Sequence, residues 1–168
     1  AWYLLAEAGL DFSQKLSSRL GFELFSGNDA TNPDDKSRVF DVPYSGGHAR
    51  LGFMDYFTLN IPAQTKGAGL FSPYLRNIFR LSPKSRLNAD LHVFFLQNNY
   101  INENETIDKY LGTELDLTYN YSFNDMTQIV AGYSVMLGSP SMDIIKEGSH
   151  EEFAHWAYLT LRVRPKFL

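Results

Sequence analysis

Residues 111–122 read LGTELDLTYNYS and residues 127–137 read TQIVAGYSVML, joined by the polar tetrapeptide FNDM. In the first segment Leu115, Leu117, Tyr119 and Tyr121 alternate with Glu114, Asp116, Thr118 and Asn120. In the second, Ile129, Ala131, Tyr133, Val135 and Leu137 alternate with Gln128, Gly132 and Ser134. Successive side chains of a strand point to opposite faces, so this pattern predicts a hairpin with one apolar and one polar face. The same alternation recurs over 2–12, 16–26, 71–81, 86–97 and 153–163. In 71–81, Asn77 is the polar exception on the apolar face. Segments of about ten residues with this dyad period are the signature of a membrane-spanning β-barrel.

The connections alternate in length. Short polar turns fall at 13–15, 82–85 and 123–126, and long connections at 27–69, 98–109 and 138–152. Outer-membrane barrels place short turns in the periplasm and long loops outside. Strict alternation holds only if 27–69 is a single extracellular loop. The segment 48–59, HARLGFMDYFTL, is therefore expected not to span, and to fold as a lumen-directed insert. That leaves seven spanning strands. An antiparallel sheet that closes on itself needs an even number, so the chain reads as a partial barrel spanning 1–168 as one domain. A complete eight-stranded barrel that uses 48–59 as a strand stays open as the alternative. The chain begins within a strand pattern, without an initiator Met or leader, and is expected to be a processed form or a fragment.

Composition changes this picture little. Mean hydropathy is −0.25, and no run approaches the ~18 apolar residues of a membrane helix. Neither observation bears on a barrel, whose inward positions are polar. Aromatics make up 15% of residues, as interfacial girdles require. Trp2, Tyr3, Tyr110, Tyr119, Tyr121, Trp156, Tyr158 and Phe167 sit near strand ends. Trp156 and Tyr158 fall on the inward face by count, where they either pack or offer a stacking surface to a sugar ring. The absence of cysteine excludes disulfides and thiolate metal sites, and a net charge of −4 argues against nucleic acid as a partner.

YLLAEAGLDF, LGFELFSGND, GGHARLGFMDYF and AYLTLRVRPKFL occur in this order along the chain. SGND followed some twenty residues later by H-x-x-x-G-x-M-D-Y-F is the most specific part. These segments resemble the C-terminal part of the alginate-export family of outer-membrane β-barrels. The resemblance implies an all-β, antiparallel transmembrane β-barrel of about eighteen strands, within the range such barrels span. This chain would supply 7–8 of them. It further implies the outer membrane of a Gram-negative bacterium, passive passage of small anionic solutes or polysaccharide, and contact with the lipid bilayer and lipopolysaccharide. Other outer-membrane proteins are possible partners. No cofactor and no catalysis are implied.

The inward faces carry Arg19, Arg76, Arg80, Arg86, Arg162 and Arg164 beside Glu7, Asp11, Glu23, Asp90, Glu114 and Asp116, with His92 among them. Arg19, Glu23, Arg76, Arg80, Arg86, Asp90, His92, Glu114, Asp116, Arg162 and Arg164 are the candidate pore lining. Opposite charges either pair into a salt-bridged wall or, where arginines cluster, coordinate carboxylate or phosphate. Arg80, Arg86, Arg162 and Arg164 lie toward the tight-turn end and are expected to form an anion-preferring mouth. His48 and Asp55 are candidates for a constriction, Asp55 alternatively capping a turn. Asp29, Asp34 and Asp35, with Asn32, offer oxygen ligands to calcium without the spacing of an EF-hand loop, so no metal is expected. His150, flanked by Ser149 and Glu151, invites a hydrolase reading. A lipid-modifying enzyme built on a small complete barrel, or a barrel that anchors a partner, remain the alternative functions.

Overall fold

In the computed structural model, residues 1–43, 50–58 and 60–165 are described. The chain is all-β: seven long strands form one antiparallel sheet. They are β1 (Tyr3–Asp11), β2 (Leu16–Phe25), β3 (Leu70–Ser82), β4 (Ser85–Leu96), β7 (Tyr110–Ser122), β8 (Thr127–Gly138) and β9 (Ala154–Val163). Their order in the sheet is their order in the chain. Between them lie α1 (Ile61–Gln64), the two-residue strands β5 (Ile101–Asn102) and β6 (Glu105–Thr106), and α2 (Pro140–Lys146). No helix among the described residues is long and apolar enough to cross a membrane. The sheet is not closed: β1 and β9 are its edges and run in the same direction.

Each tight turn is pinned by a short polar side chain that bonds its own backbone, the reason such residues favour turns. The Ser13 hydroxyl accepts from the Lys15 and Leu16 amides, Ser82 from Lys84, and Asn124 from Met126. Glu103 and Asn104 join β5 to β6, both at positive φ, as a two-residue hairpin turn of the twist-matched kind requires.

The register carries the polar positions across the sheet in rows. Arg19, Arg76, Asp90, Asp116, Ser134 and Trp156 form one such row. A second holds Glu7, Gly21, Tyr74, His92 and Glu114, and a third, nearer the tight turns, Arg80, Arg86 and Asn120. On the inner strands, toward the long connections, the two faces are buried the opposite way round from a water-soluble sheet, while β1 and β9 are exposed on both faces. Leu20 on the apolar face is 64% exposed, while Glu114 is 0%, Asp116 1% and His92 2%. Asn77 on the apolar face accepts from the Ser18 hydroxyl of the neighbouring strand at 2.5 Å, so the two polar groups satisfy one another.

The apolar core sits on the polar face, at the end reached by the long connections. Phe25, Leu70, Phe94, Leu96, Leu111 and Met136 of the sheet meet Leu51 and Phe57 of the 50–58 segment, Ile61 and Ala68 around α1, and Met142 and Ile145 of α2. A bulge between Phe94 and Phe95, opposite Gly112, brings Leu111 into this core and leaves it fully buried. The 138–152 connection, expected from its sequence to be a plain loop, contains α2. Ser139 caps α2, accepting from the Met142 amide, with Pro140 at the first helical position. That Ser-Pro start was the readable signal.

Candidate functional site

Residues 50–58 form no strand and lie against the polar face. Gly52, at φ +85°, permits the approach: a Cβ there would come within 2.3 Å of a Glu114 carboxylate oxygen. The Glu114 carboxylate accepts from the Met54 amide at 2.8 Å. At the other flank Phe57 packs on Phe94 with ring centroids 4.8 Å apart. From α2, Lys146 donates to the Tyr56 carbonyl and sits 4.4 Å over the Phe57 ring. Burial pushes the Lys146 ammonium down to about 8, and burial likewise raises the Tyr56 phenol.

Beside the insert a cleft of about 320 Å³ opens on the polar face. Of the residues expected to line a lumen, Arg19, Arg76, Asp90, His92 and Asp116 meet there, joined by Glu7 and by Arg50, Gly52 and Phe53 of the insert. Glu7 gathers the basic side. It accepts from Arg19 at 2.9 Å and from the Tyr74 hydroxyl at 2.9 Å, with Arg76 4.0 Å away. Arg76 donates to the Arg50 carbonyl at 3.0 Å and lies 4.4 Å over the Tyr74 ring. Asp116 accepts from the Ser134 hydroxyl at 2.5 Å. Glu23 is buried nearby and accepts from the Tyr3 hydroxyl, which Arg50 also contacts.

The other expected cluster lies at the tight-turn end. Arg80 and Arg86 are direct cross-strand neighbours and line one cleft with Asn120 and Gln128. Arg162 and Arg164 line an adjoining cleft with Lys84 and Gln128. Arg80 donates to the Ser17 hydroxyl at 2.7 Å. Among the described residues no carboxylate pairs with any of these four arginines.

Asp55 is exposed, in a left-handed conformation at φ +59°, and does not line the cleft beside its own insert. His48 lies outside the described residues, as does Phe167. The acidic loop residues are engaged separately. The Thr31 hydroxyl beside Asp29 holds its carboxyl below the usual range, and Asn99 contacts it too. The Arg38 guanidinium does the same for Asp34. No group of three metal-ligating side chains, Asp35 included, occurs among the described residues. His150 pairs through Nδ1 with Asp143 at 2.5 Å, and no hydroxyl hydrogen-bonds its ring there. Trp156 and Tyr158 sit on the polar face, ring centroids 4.8 Å apart, with Tyr158 over Gly132.

Sequence reading missed Arg50, Gly52 and Lys146. They lie in connections without periodicity, and only the glycine in a run of otherwise large residues hinted at a close approach. Comparison with family models, curated proteins and solved structures found no match.

Proposed function

We propose that this chain is part of an outer-membrane β-barrel channel through which solutes diffuse passively, as its resemblance to the alginate-export family implies. One observation carries the reading. On the inner strands the apolar face carries exposed Leu20, Leu75, Leu91, Leu115 and Leu137, while the polar face buries Glu23, His92, Glu114 and Asp116. Water favours the reverse arrangement, and lipid outside with solvent inside favours this one. The strands, of nine to thirteen residues, are long enough to cross a bilayer when tilted. The Ser18–Asn77 bond fits a wall where an unpaired polar group has no water to turn to. Seven antiparallel strands leave parallel edges, so closure takes an odd number of further strands.

In this reading the insert and α2 narrow the lumen at the loop end. Arg80, Arg86, Arg162 and Arg164 ring the opposite mouth, where they draw anions. The test is reconstitution of the closed barrel, this chain together with the strands that complete it, in a planar bilayer under a salt gradient. Stepwise conductance with a reversal potential favouring chloride is expected. Arg80→Gln combined with Arg86→Gln is expected to shift that potential toward zero. A protein that partitions to the soluble fraction, or never conducts, overturns the channel. Cation preference overturns the anionic mouth alone.

A further inference from the structure

The cleft beside the insert has two unlike walls. On one stand Arg50 and Arg76. Arg76 contacts Glu7, the Arg50 carbonyl and the Tyr74 ring, and makes no ion pair with its cross-strand neighbour Asp90. On the other wall Asp90 and Asp116 are direct cross-strand neighbours, and among the described residues neither has a cation at ion-pair distance, Arg76 acting on both from further off. Like charges set opposite one another are unfavourable unless something answers them. Asp116 is 1% exposed; one of its oxygens accepts from Ser134, and the Phe53 amide and the Glu114 carboxyl lie beside it. Its other oxygen, together with Nδ1 of the 2% exposed His92, is buried without a hydrogen bond. Both residues line the cleft. Buried polar atoms are ordinarily satisfied, so unused acceptors on a cleft wall call for a donor from outside the chain.

We propose that this cleft binds a small zwitterion of the α-amino acid class. Its ammonium is answered by Asp90 and Asp116, and its carboxylate by Arg76 and Arg50. The walls stand one to two strand spacings apart, about 5–10 Å, a span a small zwitterion bridges with a side-chain partner at each end. The proposal rests on the channel reading only for its physiological setting, since binding itself needs no membrane potential. In a conducting channel, the basic mouth would collect carboxylates and the cleft would select those that also carry an ammonium.

The test is equilibrium dialysis of the detergent-folded protein against three radiolabelled probes of similar size: alanine, propionate and isopropylammonium. Alanine is expected to bind at least about tenfold more tightly than either single-charge probe, the worth of one charge-assisted contact. Asp90→Asn and Asp116→Asn should each remove that advantage and leave propionate binding intact. Arg76→Gln should weaken alanine and propionate together. Should Asp116→Asn disturb folding, seen as altered heat-modifiable mobility, the less buried Asp90 carries the test. Propionate binding as tightly as alanine would reduce the cleft to an anion site. Isopropylammonium doing so would reduce it to a cation site. No alanine binding, or alanine binding indifferent to both aspartate variants, overturns the proposal. Alanine binding with no conductance from the closed barrel in bilayers would sink the channel reading and leave the zwitterion site standing.

Discussion

At the loop end of the polar face, Glu23, His92, Glu114 and Asp116 are buried beside the 50–58 insert. At the tight-turn end, Arg80, Arg86, Arg162 and Arg164 stand exposed, with no carboxylate partner among the described residues. Both ends sit on the same strands and follow the same alternation. What differs is what each receives from the connections. The long ones bring back Leu51, Phe57, Ile61, Met142 and Ile145, enough apolar surface to bury an acidic patch and give its carboxylates backbone donors. The tight turns are too short to return anything, so their arginines meet solvent. One end is therefore organised by packing and the other by charge, and substitutions should separate them.

The largest effect is expected where packing is densest. Phe57 is 1% exposed between Phe94 and Lys146. Phe57→Ala should cost the covered end about 3–5 kcal/mol, the range for emptying a buried aromatic site. Hydrogen exchange over 50–58 reads this, and protection unchanged from the parent would mean the insert is held by something other than this core. Next is the glycine that lets the insert reach Glu114. Gly52→Ala combines positive φ with a 2.3 Å clash and should cost about 1–3 kcal/mol. Gly148→Ala, with nothing within 4 Å of the added methyl, is the neutral control in a long connection. Equal denaturant midpoints for the two variants would break the comparison.

The Lys146 clamp gives a pH signature. Burial lowers its folded value to about 8 from 10.5, so above about pH 8 the unfolded chain binds the extra proton. Stability therefore rises as pH climbs from about 8 toward 10, below the range where tyrosines ionise. Lys146→Met should flatten that rise, and thermal midpoints across this window measure it. A rise of the same slope in the variant would assign it elsewhere. The smallest effect belongs to the charge-organised end. Arg86→Gln relieves a like-charge cross-strand pair with Arg80 and should stabilise slightly, by a few tenths of a kcal/mol. The same change should lower the anion preference. A stability loss of the size expected at Phe57 would mean that this end, too, is held by packing.

Much of the frame was legible beforehand because alternation is local. Leu115, Leu117 and Tyr119 against Glu114, Asp116 and Thr118 is a period-two signal that needs no distant partner. The expected strands 111–122 and 127–137 match β7 and β8 to within a residue at each end. The three tight turns were equally local, since Ser13, Ser82 and Asn124 bond within their own turns. The expectation that 48–59 is no strand came from loop parity, and the described 50–58 carry none. The candidate site was only half visible. Arg19, Arg76, Asp90, His92 and Asp116 share a face by counting, so their meeting on one wall followed from register. The same register sets Arg19 beside Arg76 and Asp90 beside Asp116, and so divides the row into a basic and an acidic side. What register did not give is Arg50, which joins the basic side from a connection whose path has no periodicity.

By itself, then, the order of residues determined strand, turn and face, because each is decided by backbone geometry within a few positions. The tertiary structure alone decided which polar face is covered, by what, and which charges go unanswered. Those outcomes depend on Gly52, Phe57 and Lys146 meeting side chains that are dozens of positions away. Such contacts are set by the balance of burial and desolvation across the folded sheet, which no local pattern encodes.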